Sequence, residues 1–152
     1  MFDIAKIPSA QQASEAGFTF DAQYPDGTPA GVRITVVGPD SEAAKAYATR
    51  RFSQMQSRAA AARRTGRDAE ELSADELEQQ MIELAATYTT GWAGVLDGGQ
   101  PLPCTAETAR RLYRLHPWLR SQVINEAQTL GNFVRPSSAS SSTTPAPSSD
   151  LT

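Results

Sequence analysis

The stretch Gly17-Phe18-Thr19-Phe20-Asp21-Ala22-Gln23-Tyr24-Pro25-Asp26-Gly27-Thr28-Pro29, with the run Val32-Arg33-Ile34-Thr35-Val36-Val37 just beyond it, decides the fold class. Phe18, Phe20, Ala22 and Tyr24 fall on one side of an extended chain, and Thr19, Asp21 and Gln23 on the other. That period of two is the signature of a strand with one apolar face. Val32, Ile34 and Val36 alternate in the same way with Arg33, Thr35 and Val37. Between the runs Pro25 presets φ, Asp26 caps locally and Gly27 accepts a positive φ, which makes a turn. Residues 17–37 therefore read as a β-hairpin. Two strands alone are marginal in water, so the aromatic face must cover helices or another sheet edge.

Downstream the period changes to that of helices. Gly38-Pro39 stops the second strand, and Asp40 or Ser41 caps a helix over about 41–64, with Glu42 in its first turn. Ala44, Ala48, Phe52, Met55, Ala59 and Ala62 form its narrow seam, and Gly66 ends it. Ser73 and Glu76 make a capping box for a helix over 74–91, striped by Leu77, Met81, Leu84 and Tyr88. Asp97 to Pro103 is a turn-rich loop. Thr105 caps a helix over 106–115, with Ala109, Leu112 and Leu115 inward. Pro117 suits the first position of a helix over 117–133, striped by Leu119, Val123, Ala127 and Leu130. Residues 1–16 read as an irregular lead-in, of which 1–10 could supply a third strand. From Pro136 the chain is almost all Ser, Thr, Pro and Ala, so 134–152 reads as a disordered tail. The expected fold is α+β: one domain over 17–133, an N-terminal β-hairpin packed beside about four α-helices.

At 152 residues the chain has room for one ordinary domain. One cysteine and one histidine exclude an internal disulfide, a four-ligand zinc site and most acid–base triads. No phosphate-loop, dinucleotide-binding, zinc-protease or nucleophile-elbow motif occurs. An enzyme is not expected, nor is any cofactor or metal. No apolar run approaches the roughly 20 residues that cross a bilayer. The first residues lack a signal-peptide layout, so a soluble protein retained in the cell that makes it is expected.

The net charge of −3 hides an asymmetry. Lys45, Arg50, Arg51, Arg58, Arg63, Arg64 and Arg67 run without an acid. Asp68, Glu70, Glu71, Asp75, Glu76, Glu78 and Glu83 then follow without a base. A basic block alone would raise the question of nucleic acid, but an equal acidic block follows and no aromatics interleave it. Neutralisation between adjacent helices or adjacent chains is the simpler account. The acidic run lacks the glycine and ligand spacing of a calcium loop, so it reads as a solvated face.

Cys104 precedes the Thr105 cap, where a helix dipole would favour a thiolate, but His116 stands a helix-length away. Cys104 is therefore expected to act as a small, semi-buried hydrophobe, and His116 as a cap or a packing partner of Trp118. Trp92 and Trp118 flank the Gly/Pro loop. Trp92 is expected to plug the helix–loop–helix junction, while Trp118 is free for either core or partner.

Residues 91–123 form a spaced pattern: Gly91-Trp92-Ala93-Gly94, then Gly99-Gln100-Pro101-Leu102-Pro103-Cys104-Thr105, then Glu107, Ala109, Leu112 and Pro117-Trp118-Leu119-Arg120-Ser121-Gln122-Val123. The pattern resembles the tail assembly chaperones of long-tailed bacteriophages. The Phe-rich hairpin and the Arg-rich helix are similar to theirs as well. Many of those proteins carry an aromatic where Cys104 stands, so a packing role alone carries over to it, as to Pro101, Pro103 and Pro117.

The resemblance implies a non-enzymatic protein of the host bacterial cytoplasm. Its partner would be the long helical tape-measure protein, kept soluble until tail-tube subunits polymerise around it. The tail tube protein would be a second partner; neither nucleic acid nor membrane is implied. The Ala-rich seam and the split charge blocks suit self-association of copies side by side, and suit a monomeric bundle nearly as well. Such chaperones are often made in a short form and a frameshifted extended form, and this chain resembles the short one. The other reading is a structural virion component, a minor tail or head–tail connector protein, whose hairpin would join a neighbour's sheet edge. For a chaperone, the expected partner surface is Tyr88, Trp118 and Leu119 around the Gly/Pro loop, with Trp92 as core beside them and Phe18 and Phe20 as second choice.

Overall fold

The computed structural model describes residues 1–68 and 71–134, and it confirms the α+β class. Strands β1 (Phe18–Gln23) and β2 (Pro29–Val36) form the expected hairpin. A third strand, β3 (Thr89–Ala93), adds to the other edge of β2, so the antiparallel order is β1-β2-β3. The third strand thus comes from the middle of the chain and not from residues 1–10. The helix expected over 74–91 is correspondingly shorter: α3 spans Ala74–Tyr88 and passes directly into β3. The signal was legible, because Thr89-Thr90 are β-branched and favour the pleated chain over the helix.

Register explains which side chains are inside. Phe18 stands opposite Val36, and Phe20 opposite Ile34, which in turn faces Trp92 on β3. Directly opposed residues share a face, so these five define the core side of the sheet. Ile34 and Val36 are fully buried there. The other face is polar: the Thr19 and Thr35 hydroxyls meet at 2.8 Å, and Arg33 pairs with Asp21 at 3.0 Å.

Helices α4 (Ala106–Leu115) and α5 (Pro117–Gln128), with the second half of α3, cover that core side. They contribute Ile82, Ala85, Tyr88, Ala109, Tyr113, Leu119, Val123 and Ala127 to the buried core. The Tyr113 hydroxyl, wholly enclosed, satisfies itself with Thr89 at 2.6 Å, and burial pushes its ionisation well above the ordinary phenol range. The last helix is shorter than 117–133; it ends at Gln128, and a 3-10 turn, Leu130–Phe133, carries Phe133 into the core edge-on to Phe18.

Residues 1–16 are not wholly irregular. Ser9 and Gln12 form a reciprocal capping box that starts α1 (Ala10–Ala16), a signal present in the sequence as Ser-x-x-Gln. This short helix wedges under the β2 exit. Ser14 accepts the Gly38 N–H on its carbonyl and the Asp40 N–H on its hydroxyl. A Cβ at Gly38 would sit 2.5 Å from that hydroxyl and 2.9 Å from the Phe133 ring, so only glycine fits. The expected disordered tail lies, beyond Val134, outside the described residues.

The remaining helix, α2 (Glu42–Thr65), behaves differently. Ser41 caps its start, as expected, and left-handed Gly66 ends it. Of its 24 residues only Ala44 is buried. Together with the first half of α3 it forms an arm standing off the body.

Candidate functional site

The residues expected to meet a partner do not form one surface. Tyr88 and Leu119 are withdrawn from it, being 5 % and 3 % exposed within the core. Phe18 and Phe20 are half-buried against that core, stacked on each other at 6.5 Å. Trp92 is also half-buried, on the strand rather than at a helix end. Its Nε1–H donates to the Leu102 carbonyl at 2.7 Å, tying β3 to the Gly/Pro loop. That loop is itself a small ladder, β4 (Leu96–Asp97) on β5 (Gln100–Pro101). Gly98 and Gly99 turn it with φ of 58° and 83°, the pair of positive values that a tight two-residue hairpin turn requires.

Trp118 keeps part of its ring outside. Tyr24 leans on it at 5.2 Å and His116 meets it edge-on at 6.1 Å. With Gln23, Pro25, Gly27 and Gln122 it borders a shallow depression of about 360 Å³. His116 also acts at the helix junction, where its backbone N–H donates to Leu112 and its carbonyl receives the N–H groups of Leu119 and Arg120. Cys104 is partly buried, and burial pushes its thiol up, away from a reactive thiolate. Among the described residues no three His, Cys, Asp or Glu side chains gather as metal ligands.

The larger concavity lies on the arm, where no partner surface was expected. Helices α2 and α3 touch at two ties. The Tyr47 hydroxyl donates to the Gln80 carbonyl at 3.0 Å, and Arg58 pairs with Glu76 at 3.0 Å. Around these ties the helices leave an open groove of about 1050 Å³. Met55, Ala59 and Leu72 supply its apolar floor, Arg50 and Arg51 one rim, and Glu71 and Glu83 the other. Of these acids Glu83 is held by Arg110 at 2.9 Å, and Glu78, which does not line the groove, pairs with Arg120 at 3.4 Å.

Four of the large apolar groups exposed among the described residues lie on the same arm. Phe52 and Met55 are each 61 % exposed, Leu77 47 % and Met81 41 %. The sequence shows these residues as the inward stripes of two helices. Their periodicity was legible, but the absence of anything packed on them was not. None of the described helices is long and apolar enough to cross a membrane.

The chain thus joins a small α+β body to a helical arm whose apolar and charged side chains are exposed. The model of the YdaY prophage protein family matches residues 42–141, and the chain belongs to that family. It is thus a phage-derived protein, and the matched region begins at α2 and takes in the arm, β3 and the closing helices. No curated protein and no solved structure matches the chain.

Proposed function

We propose that this protein is a tail assembly chaperone: it holds its phage's tape-measure protein, as an amphipathic helix, in the α2–α3 groove. It does so in the host cytoplasm, without enzymatic chemistry and without nucleic acid or membrane, until tail-tube subunits close around the client. The groove carries this reading. An amphipathic helix laid in such a groove buries its apolar stripe on Met55, Ala59 and Leu72 and meets basic and acidic rims on its two flanks. A long helical client would take many copies side by side, each contributing a modest affinity. Membership of a prophage family supports a phage role, and the pattern over residues 91–123 supports the tail.

The test is co-expression with the tape-measure protein encoded by the same phage. Soluble client should rise in the presence of the chaperone and co-purify with it. Met55→Asp, at an exposed position that folding does not need, should lower capture by tenfold or more, since apolar anchors of an interface typically contribute about 2 kcal/mol. Trp118→Ala addresses the shallower second surface; loss of capture there with Met55→Asp unaffected would move the client to the Trp118 depression. A client that stays insoluble beside the wild-type chain overturns the proposal. Abundant peptides of this chain in purified virions would instead favour a structural tail component.

A further inference from the structure

The reverse side of the arm carries a second surface. Phe52, Leu77 and Met81 are exposed yet do not line the groove. Phe52 lies between the Tyr47–Gln80 and Arg58–Glu76 ties, which places it beside the turn of α3 that carries Leu77. Leu77 and Met81, four apart, share a helix face. Three large apolar side chains outside the groove thus stand on the two helices, the kind of surface a protein that meets nothing rarely keeps.

We propose that this face pairs two copies of the chain, α2 of each copy lying across α3 of the other in a four-helix bundle. Charge selects both the occupant and the arrangement. Helix α2 holds six bases, of which Arg50, Arg51 and Arg58 line the groove and Lys45, Arg63 and Arg64 do not, against the single acid Glu42. Helix α3 holds Asp75, Glu76, Glu78 and Glu83 and no base, and Asp68 and Glu71 precede it. Among the described residues, Arg58–Glu76 is the one ion pair joining the two helices within a copy.

Laying α2 on a second α2 would set base against base. A two-fold axis parallel to the arm avoids this. It sets each basic helix against the acidic helix of the other copy, keeps both arm tips at one end, and buries Phe52, Leu77 and Met81 of each copy in the seam. The overlap is limited by α3, whose 15 residues span about 22 Å. Two helix diameters across that length bury on the order of 1,000 Å² in total, the size class of weak, reversible contacts. The dimer is therefore concentration-dependent and salt-sensitive. It uses the side of the arm away from the groove, so it stands or falls independently of the client.

Sedimentation velocity of the full chain over a range of concentrations tests the pairing. The expected result is a monomer–dimer equilibrium that weakens by tenfold or more in Phe52→Glu, with helical circular dichroism unchanged. Raising salt should also shift it toward monomer. Orientation is read by disulfide formation in a Cys104→Ser background. A Phe52→Cys copy should cross-link to a Leu77→Cys copy, and not to another Phe52→Cys copy, because bonding needs Cα atoms within about 7 Å. Monomer at every concentration, a dimer indifferent to Phe52→Glu, or preferential linkage of two Phe52→Cys copies would each overturn the proposal.

Discussion

Helices α2 and α5 are built from similar signals and live in different environments. Helix α5 has 12 residues and buries Leu119, Val123 and Ala127 against the sheet; α2 has twice the length and buries Ala44 alone. What holds α5 is packing; Pro117 stands at its first position, and Thr129 and Asn132 donate to the Asn125 and Glu126 carbonyls at its end. What holds α2 is local: the Ser41 cap, Glu42 in the first turn, Arg63 and Arg64 near the C-terminal end, and a run of alanines, arginines and glutamines with high helix propensity. Isolated helices gain little from such devices, so most of α2 lies near the low end of local stability. The contrast teaches where function belongs. The body encloses a core and leaves Leu96, Leu115 and Leu130 exposed singly, whereas the arm leaves Phe52, Met55, Leu77 and Met81 exposed on two adjacent helices.

The largest effect should come from the body. Ile34→Ala empties a wholly buried site between Phe20 and Trp92 and should cost about 2–5 kcal/mol, read by denaturant unfolding. A loss below about 1 kcal/mol would break the distinction at its root. Trp92→Ala comes next. The indole is half-buried, so the loss should sit near the lower end of the roughly 3–5 kcal/mol range for truncating a core tryptophan, with the Leu102 carbonyl left without its donor.

On the arm the same kind of change should do almost nothing. Phe52→Ala is expected to alter stability by no more than about 0.5 kcal/mol, as for a surface position. Hydrogen exchange sharpens the point without mutation. Amides in the middle of α2 should exchange far sooner than those of β2 and α5, and equal protection would mean that the arm is packed in solution.

The smallest effect is on pH. The hydrogen bond from Arg58, then that from the Ser73 N–H, holds the Glu76 carboxyl below the ordinary carboxylate range. A depressed folded value means the tie contributes above that range and is lost as pH falls through it. Acid titration should therefore loosen the arm before the body, with α2 and α3 amides losing protection as the pH falls below the ordinary carboxylate range. In Glu76→Gln this acid-side change should disappear.

Much of this was legible beforehand. The hairpin follows from the alternation over Phe18–Val36 and the Pro25-Asp26-Gly27 turn. The starts of four helices follow from Ser41, Ser73–Glu76, Thr105 and Pro117, each of which stands where the structure uses it. Two local signals compete with a stronger pattern. The Ser9–Gln12 box stands directly after Pro8 in a polar run, and Thr89-Thr90 follow an apolar stripe ending at Tyr88 whose period favours more helix.

Other features depend on where elements sit in space. Whether an apolar stripe is core or surface depends on what lies opposite it. Leu119 and Tyr88 meet the sheet and each other's helices, while Phe52 and Leu77 meet solvent, and all four look alike in periodicity. The sequence by itself determined the local conformations, because caps, turns and alternation act within a few residues. Only the tertiary structure decided that β3 completes the sheet, that Trp92 faces the core, and that a groove opens between α2 and α3. Those outcomes depend on contacts between residues tens of positions apart, whose energies no local pattern encodes.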